Sequence, residues 1–247
     1  MTQRSVEIDT QAGTCPAVLS IPDGEGPWPA VIMFPDAGGM RDTMREMGEQ
    51  LSRFGYVVLV PDFYYRNGPY PPVDMSTVLQ NEDSREWLMG MMRGYTADML
   101  VSDAHAFVDY LESLPEKKSG GIGTTGYCMG GRLSLMAAAN LSARIAASAS
   151  FHGGGLAKED DPNSPHQKAS EIKAIVYAAG AIEDQSFPDE QKDLLENPLT
   201  TAGVDHTIET YPARHGFAVP DNSSYDEAAA ERHWKAMDTL FGTALQA

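Results

Sequence analysis

Cysteine is nearly absent from this chain: only Cys15 and Cys128 occur among its 247 residues. Two thiols suit a reducing compartment better than a disulfide framework, and neither is expected to be bridged. Basic residues are also scarce, 18 Lys and Arg against 35 Asp and Glu, for a formal charge of -17. That deficit argues against nucleic acid or an anionic membrane surface as a partner, and its plainest meaning is an acidic, solvated surface. No apolar run approaches the ~18 residues a membrane helix needs, and Met1 to Thr10 lacks both a basic n-region and an apolar h-region. A cytoplasmic location is therefore expected. The six histidines are scattered, without an H-E-x-x-H or C-x-x-C arrangement, so neither a metal nor another cofactor is expected. Internal repeats and linker-like stretches are lacking too. What remains, 42% hydrophobic and 21% charged residues, is enough for a layered core and argues against disorder. The length fits one α/β domain spanning residues 1–247.

The apolar segments set the architecture. Ser5 to Asp9 and Thr14 to Ile21 read as a hairpin around Ala12-Gly13. Ala30 to Phe34 is a continuous apolar run, as a strand buried on both faces requires, and Pro35-Asp36-Ala37-Gly38-Gly39 follows it as a functional loop. Further strands are expected at Tyr56 to Val60, Gly121 to Gly126, Ile145 to Phe151, Ala174 to Ala179 and Thr207 to Tyr211. Helical patterns alternate with them at Thr43 to Phe54, Thr96 to Leu114, the stretch after Cys128, Phe187 to Ala202 and Ser224 to Leu245. This alternation predicts a mostly parallel central sheet of about eight strands with helices on both faces, and ligands at the carboxyl ends of the strands. Residues 63–95 break the rhythm with a Pro-rich piece and the aromatic, Met-rich Trp87 to Met92. They either line the site or form a surface flap packed on the domain.

Gly126-Tyr127-Cys128-Met129-Gly130-Gly131 joins a strand to an alanine-rich helical pattern. It reads as a nucleophile elbow, whose glycines are needed because side chains there would collide with neighbouring backbone. The positive end of the helix and a nearby histidine could both activate Cys128. A glycine-rich turn with a cysteine retained for packing is the alternative. Order favours the elbow: Asp184 and then His215 follow, each after an apolar run, which is the order used by α/β-hydrolases. Glu183 competes with Asp184 for the acid role. His206, at a strand start, reads as a surface residue and His152, at a strand end, as a structural one.

Together, Gly-Tyr-Cys-Met-Gly-Gly, Pro61-Asp62-Phe63-Tyr64-Tyr65-Arg66, Gly180 with Asp184, and His215-Gly216-Phe217 resemble the dienelactone hydrolase family over nearly the whole chain. The resemblance implies the α/β-hydrolase fold, with Cys128 as nucleophile, His215 as base and Asp184 as the residue that orients the imidazole. An oxyanion hole is expected from the backbone N–H groups of Met129 and Ala37. In the family a glutamate beside the second donor pairs with the resting thiol. Asp36 is the matching residue and is one methylene shorter; capping of the following turn is its other reading. Arg66 matches an arginine that binds the substrate carboxylate, or else forms a salt bridge. A second such arginine, four residues after the histidine, is replaced by Val219. The expected activity is hydrolysis of small esters or lactones through a thioester acyl-enzyme, by a monomer or homodimer without cofactor. The rivals are acyl or thiol transfer on the same triad, and a non-catalytic ligand-binding module of the same fold.

Overall fold

The computed structural model describes residues 1–246. Its strands are β1 (Thr2–Thr10), β2 (Gly13–Ile21), β3 (Ala30–Phe34), β4 (Val57–Pro61), β5 (Ile122–Tyr127), β6 (Ile145–Phe151), β7 (Ile175–Ala181) and β8 (His206–Tyr211). They form one sheet in the order β1-β2-β4-β3-β5-β6-β7-β8. From β4 to β8 every pairing is parallel; β2 runs antiparallel to β4 and to β1. The hairpin forms as expected, with Thr10 opposite Gly13 and Gly13 at φ 124°, a conformation that only glycine adopts without strain.

The helices are α1 (Asp42–Ser52), α2 (Glu82–Gly94), α3 (Ala97–Ser113), α4 (Met129–Asn140), α5 (Asp189–Ala202) and α6 (Glu227–Leu245). Their starts are chemically marked: Asn81, Thr96 and Asp226 accept the backbone N–H of Ser84, Met99 and Ala229, capping α2, α3 and α6. Because side chains alternate along a strand, β3 divides its apolar run between two cores. Ile32 and Phe34 pack with Phe107 of α3, Leu133 of α4 and Leu195 of α5. Val31 and Met33 pack on the other face with Met44 and Met47 of α1 and Phe241 of α6. Burial on both faces explains why the central strands carry no polar alternation.

Residues 63–95 do both things considered for them. Val73, Val78 and Leu88 pack on Ala37 in a small separate core, while Met89, Met92, Arg93 and Tyr95 line a cavity that reaches Cys128. Both ends of the segment are tied to α3 by Asp103, which is 0% exposed. Its carboxylate accepts Arg66 Nη1 and Nη2 at 2.5 and 2.7 Å, the Tyr65 hydroxyl at 3.0 Å and the Tyr95 hydroxyl at 3.1 Å.

Candidate active site

The end of β5 turns into α4 so tightly that two glycines are obligatory. A Cβ on Gly126 would stand 2.1 Å from the Gly130 carbonyl oxygen, and one on Gly130 would stand 2.2 Å from that of Pro35. Between them Cys128 sits at φ 52°, ψ -117°, a strained conformation for any residue with a Cβ. The strain has a geometric return: the side chain is lifted off the sheet, partly exposed, at the N-terminus of α4.

His215 lies in the loop between β8 and α6. Its Nδ1 is 2.8 Å from Asp184 Oδ2 and 3.2 Å from the Ser186 hydroxyl, and Cys128 lies beside the imidazole. Burial works against the His215 cation, yet the bond to Asp184 and the neighbouring Cys128 outweigh it and push the imidazole up to about 10. Burial likewise opposes charge on Asp184, but His215 and Ser186 hold its carboxyl down at about 2. Ser186 donates its hydroxyl to Asp184 Oδ1 at 2.6 Å and its backbone N–H to the same oxygen at 2.9 Å. The neighbouring Glu183 is exposed and stands at φ 53°, so the carboxylate turned toward the histidine is that of Asp184. A serine two residues past an aspartate is an ordinary turn signal, and nothing in sequence ties Ser186 to this pair.

Ala37 and Met129 present the two backbone donors considered for the oxyanion hole. Among the described residues no protein acceptor takes either N–H. Gly130 packs against the Phe34 and Pro35 carbonyls, which brings the loop after β3 onto the first turn of α4.

Asp36 and Arg66 each take the second of the two roles considered for them. Asp36, 2% exposed, makes no hydrogen bond to Cys128 among the described residues. Its Oδ1 accepts the Gly38 N–H at 2.9 Å and Arg41 Nη1 at 2.7 Å, and its Oδ2 accepts Arg41 Nη2 at 2.9 Å. The short carboxylate closes a turn and binds a guanidinium five residues on; it does not pair with the thiol. Arg66 is held on Asp103 and is not among the residues lining the cavity at Cys128. Of the expected alternatives, a salt bridge is the one formed, and its partner is a buried carboxylate. Val219 is fully buried.

The cavity measures about 670 Å³. Met89, Met92, Leu133 and Met136 give it an apolar wall; Arg93, Arg132 and Lys158 bring cations, of which Arg132 is paired with Asp161. His152, given a structural role above, is fully buried at φ 40°, with its ring centroid 5.0 Å from that of His215. Burial keeps it neutral, pushing its pKa far below the ordinary histidine value. His206 bonds to the Val204 carbonyl and Glu196, away from the site, with its side chain largely buried and not on the surface as expected.

An elbow after a central parallel strand, with an acid after β7 and a histidine after β8, defines an α/β-hydrolase. Within that class the chain belongs to the dienelactone hydrolase family, which it matches over residues 15–245. It is 29% identical over 257 aligned residues to a Synechocystis sp. protein named "Putative carboxymethylenebutenolidase", covering 98% of this chain and 100% of the relative. Carboxymethylenebutenolidase 1 of Cupriavidus pinatubonensis is 27% identical, with 93% and 92% covered. Among solved structures, one from Klebsiella pneumoniae described as "Putative Dienelactone Hydrolase" superposes with a TM-score of 0.84 at 23% identity over 98% of both chains. The protein is thus an enzyme, a hydrolase of the dienelactone hydrolase type. Among the described residues no helix is long and apolar enough to cross a membrane, and no group of side chains could hold a metal ion.

Proposed function

We propose that the protein hydrolyses small esters or lactones with Cys128 as nucleophile, His215 as proton carrier and Asp184 as the group that fixes the imidazole. The observation that carries this reading is His215 itself. One nitrogen is held on Asp184 at 2.8 Å, and a cysteine on a strained elbow stands beside the ring. A cation at that position favours the thiolate, the reactive form of cysteine.

In the first half-reaction Sγ attacks the substrate carbonyl carbon, and the oxyanion accepts hydrogen bonds from the Ala37 and Met129 N–H groups. The C–O bond to the leaving group then breaks, and the imidazolium of His215 gives its proton to the departing oxygen. In the second, water gives a proton to neutral His215 and attacks the thioester. The C–S bond breaks, releasing the acid and restoring the Cys128–His215 pair. Asp184 stays ionised throughout, holding the imidazole in one tautomer and stabilising its cation.

The cavity suits a substrate of modest size whose acyl or alkyl part lies on the methionine wall, with any single negative charge toward Arg93 and Lys158. The test is to trap the acyl-enzyme: mixing with a slowly deacylating ester should add the acyl mass to the peptide containing Cys128, and Cys128→Ala should abolish both adduct and turnover. Turnover that survives in Cys128→Ala would overturn the mechanism.

A further inference from the structure

Arg41 stands at the start of α1, 5% exposed, and all five of its N–H donors are used. Nη1 reaches Asp36 Oδ1 at 2.7 Å and the Gly39 carbonyl at 3.2 Å; Nη2 reaches Asp36 Oδ2 at 2.9 Å and Asp221 Oδ1 at 2.8 Å; Nε reaches Asp221 Oδ2 at 2.6 Å. The two carboxylates belong to different loops of the site. Asp36 immediately precedes Ala37 in the loop after β3, and Asp221 lies in the loop that carries His215 after β8.

No strand pairing links these loops, because β5, β6 and β7 stand between β3 and β8. Their separation across the top of the sheet therefore depends on side chains. The histidine loop is a stiff partner. Phe217 N–H bonds to the Arg214 carbonyl, Val219 N–H to that of Gly216, Asn222 N–H to that of Val219 and Asp226 N–H to that of Phe217. His215 is independently fixed on Asp184. The loop after β3 is held by Gly39 N–H to the Asp36 carbonyl at 3.0 Å, Gly38 N–H to Asp36 Oδ1 at 2.9 Å, Met40 N–H to the Tyr70 hydroxyl at 3.1 Å and the packing of Ala37 on Val73, Val78 and Leu88, none of which sets its distance from the histidine loop.

We propose that Arg41 is a positioning residue, which uses Asp221 as an anchor to hold Asp36 and, with it, the Ala37 N–H at the distance from Cys128 that an oxyanion requires. The proposal rests on the mechanism above. It explains why the site has arginine at this position: a lysine could satisfy one carboxylate but could not fork two in a plane. It also gives Asp36 a catalytic consequence without contact to the thiol.

The test separates the oxyanion loop from the Cys–His pair. Alkylation of Cys128 by iodoacetamide needs the reactive thiolate but no oxyanion donor; ester hydrolysis needs both. Arg41→Lys should lower kcat by ~10²-fold, the cost of misplacing a reacting geometry by about an ångström. KM should stay within about threefold, and the rate and pH profile of alkylation within about twofold, of the parent. Should Arg41→Lys fail to fold, Asp221→Asn decides the matter. It breaks the same fork from a half-exposed carboxylate and should give about a tenfold loss of kcat, again with alkylation intact. Where both variants fold, combining them should cost little more than Arg41→Lys alone, since both cut one link. An unchanged kcat, or alkylation falling in parallel with hydrolysis, would overturn the proposal. Failure of the underlying mechanism is distinguishable, because Cys128→Ala would then retain turnover whatever Arg41 does.

Discussion

Replacing Asp184 by Asn should move the basic limb of the pH–rate profile and lower its plateau by a calculable amount. Against the pull of burial, His215 rises from 6.5 to about 10 through its bond to Asp184 and the proximity of Cys128. At ~1.4 kcal/mol per tenfold change, that preference for the cation is worth ~5 kcal/mol. On the other side of the same bond Asp184 falls from 3.8 to about 2, with help from Ser186, so the carboxylate's part in that preference is at most roughly 2 kcal/mol. The imidazolium should then lose its proton more than one pH unit lower in Asp184→Asn. Loss of cation stabilisation accounts for ~30-fold in rate, and an amide that can also hold the wrong tautomer adds to it, for ~10²–10³ in all. That is less than the ~10⁴ lost by the corresponding serine triad, because the thiolate is intrinsically nucleophilic. The assay is kcat/KM against pH for an alkyl ester, whose leaving alkoxide needs the His215 proton, beside an aryl ester, whose phenolate does not. The alkyl ester should show the downward move of the basic limb. A limb that stays in place in Asp184→Asn, or an equal loss in Glu183→Gln, would refute the reasoning.

Further outcomes follow from the same geometry. Cys128→Gly should abolish hydrolysis yet raise Tm by roughly 2–4 °C, since relief of the left-handed φ is worth about 1 kcal/mol; thermal melts beside Cys128→Ala check this. Gly126→Ala should destabilise by about 3 kcal/mol in denaturant titration, because its Cβ would meet backbone on the first turn of α4 that cannot retreat. Arg66→Ala should cost about 3 kcal/mol by stranding the Asp103 charge, while leaving the ratio of rates on anionic and neutral esters unchanged; a selective rise of KM for the anionic ester would show that Arg66 meets substrate after all. Asp184, held at about 2 in the folded state against 3.8, contributes up to ~2 kcal/mol that is present above pH ~4 and lost as pH falls through about 2. Urea midpoints at pH ~5 and pH ~2.5 should therefore fall further for the parent than for Asp184→Asn.

The parallel sheet was legible because burial on both faces leaves a direct mark in sequence, unbroken apolar runs such as Ala30 to Phe34 punctuated by Gly and Pro. The elbow was legible for a related reason: close backbone approach demands glycine at fixed offsets from Cys128. Side-chain partnerships across long sequence separations leave no such mark. Asp103 lies inside the amphipathic pattern of α3, where an isolated acid reads as a solvated residue, and only the fold reveals that Arg66, Tyr65 and Tyr95 converge on it. Asp36 illustrates the same limit. Its matching position suggested a partner for the thiol, but a guanidinium brought over it by the start of α1 and an acid from the other end of the sheet reassign it. Even the competition between Asp184 and Glu183 was a question of which way a tight turn points its side chains, which no local pattern encodes.

The tethering of residues 63–95 at both ends by Asp103 divides labour within the molecule. Everything assigned a chemical step stands on loops at the carboxyl ends of the strands, whereas α2 lends the cavity Met89 and Met92 and carries none of those groups. Thioether side chains adjust their shape at little cost. Change at Met89 and Met92, unlike change at Leu88, which packs on Ala37, would therefore alter which acyl or alkyl groups are accommodated without disturbing the reacting atoms. The arrangement sets an adjustable wall beside a fixed reaction centre, and a change of substrate range would be sought first at Met89 and Met92.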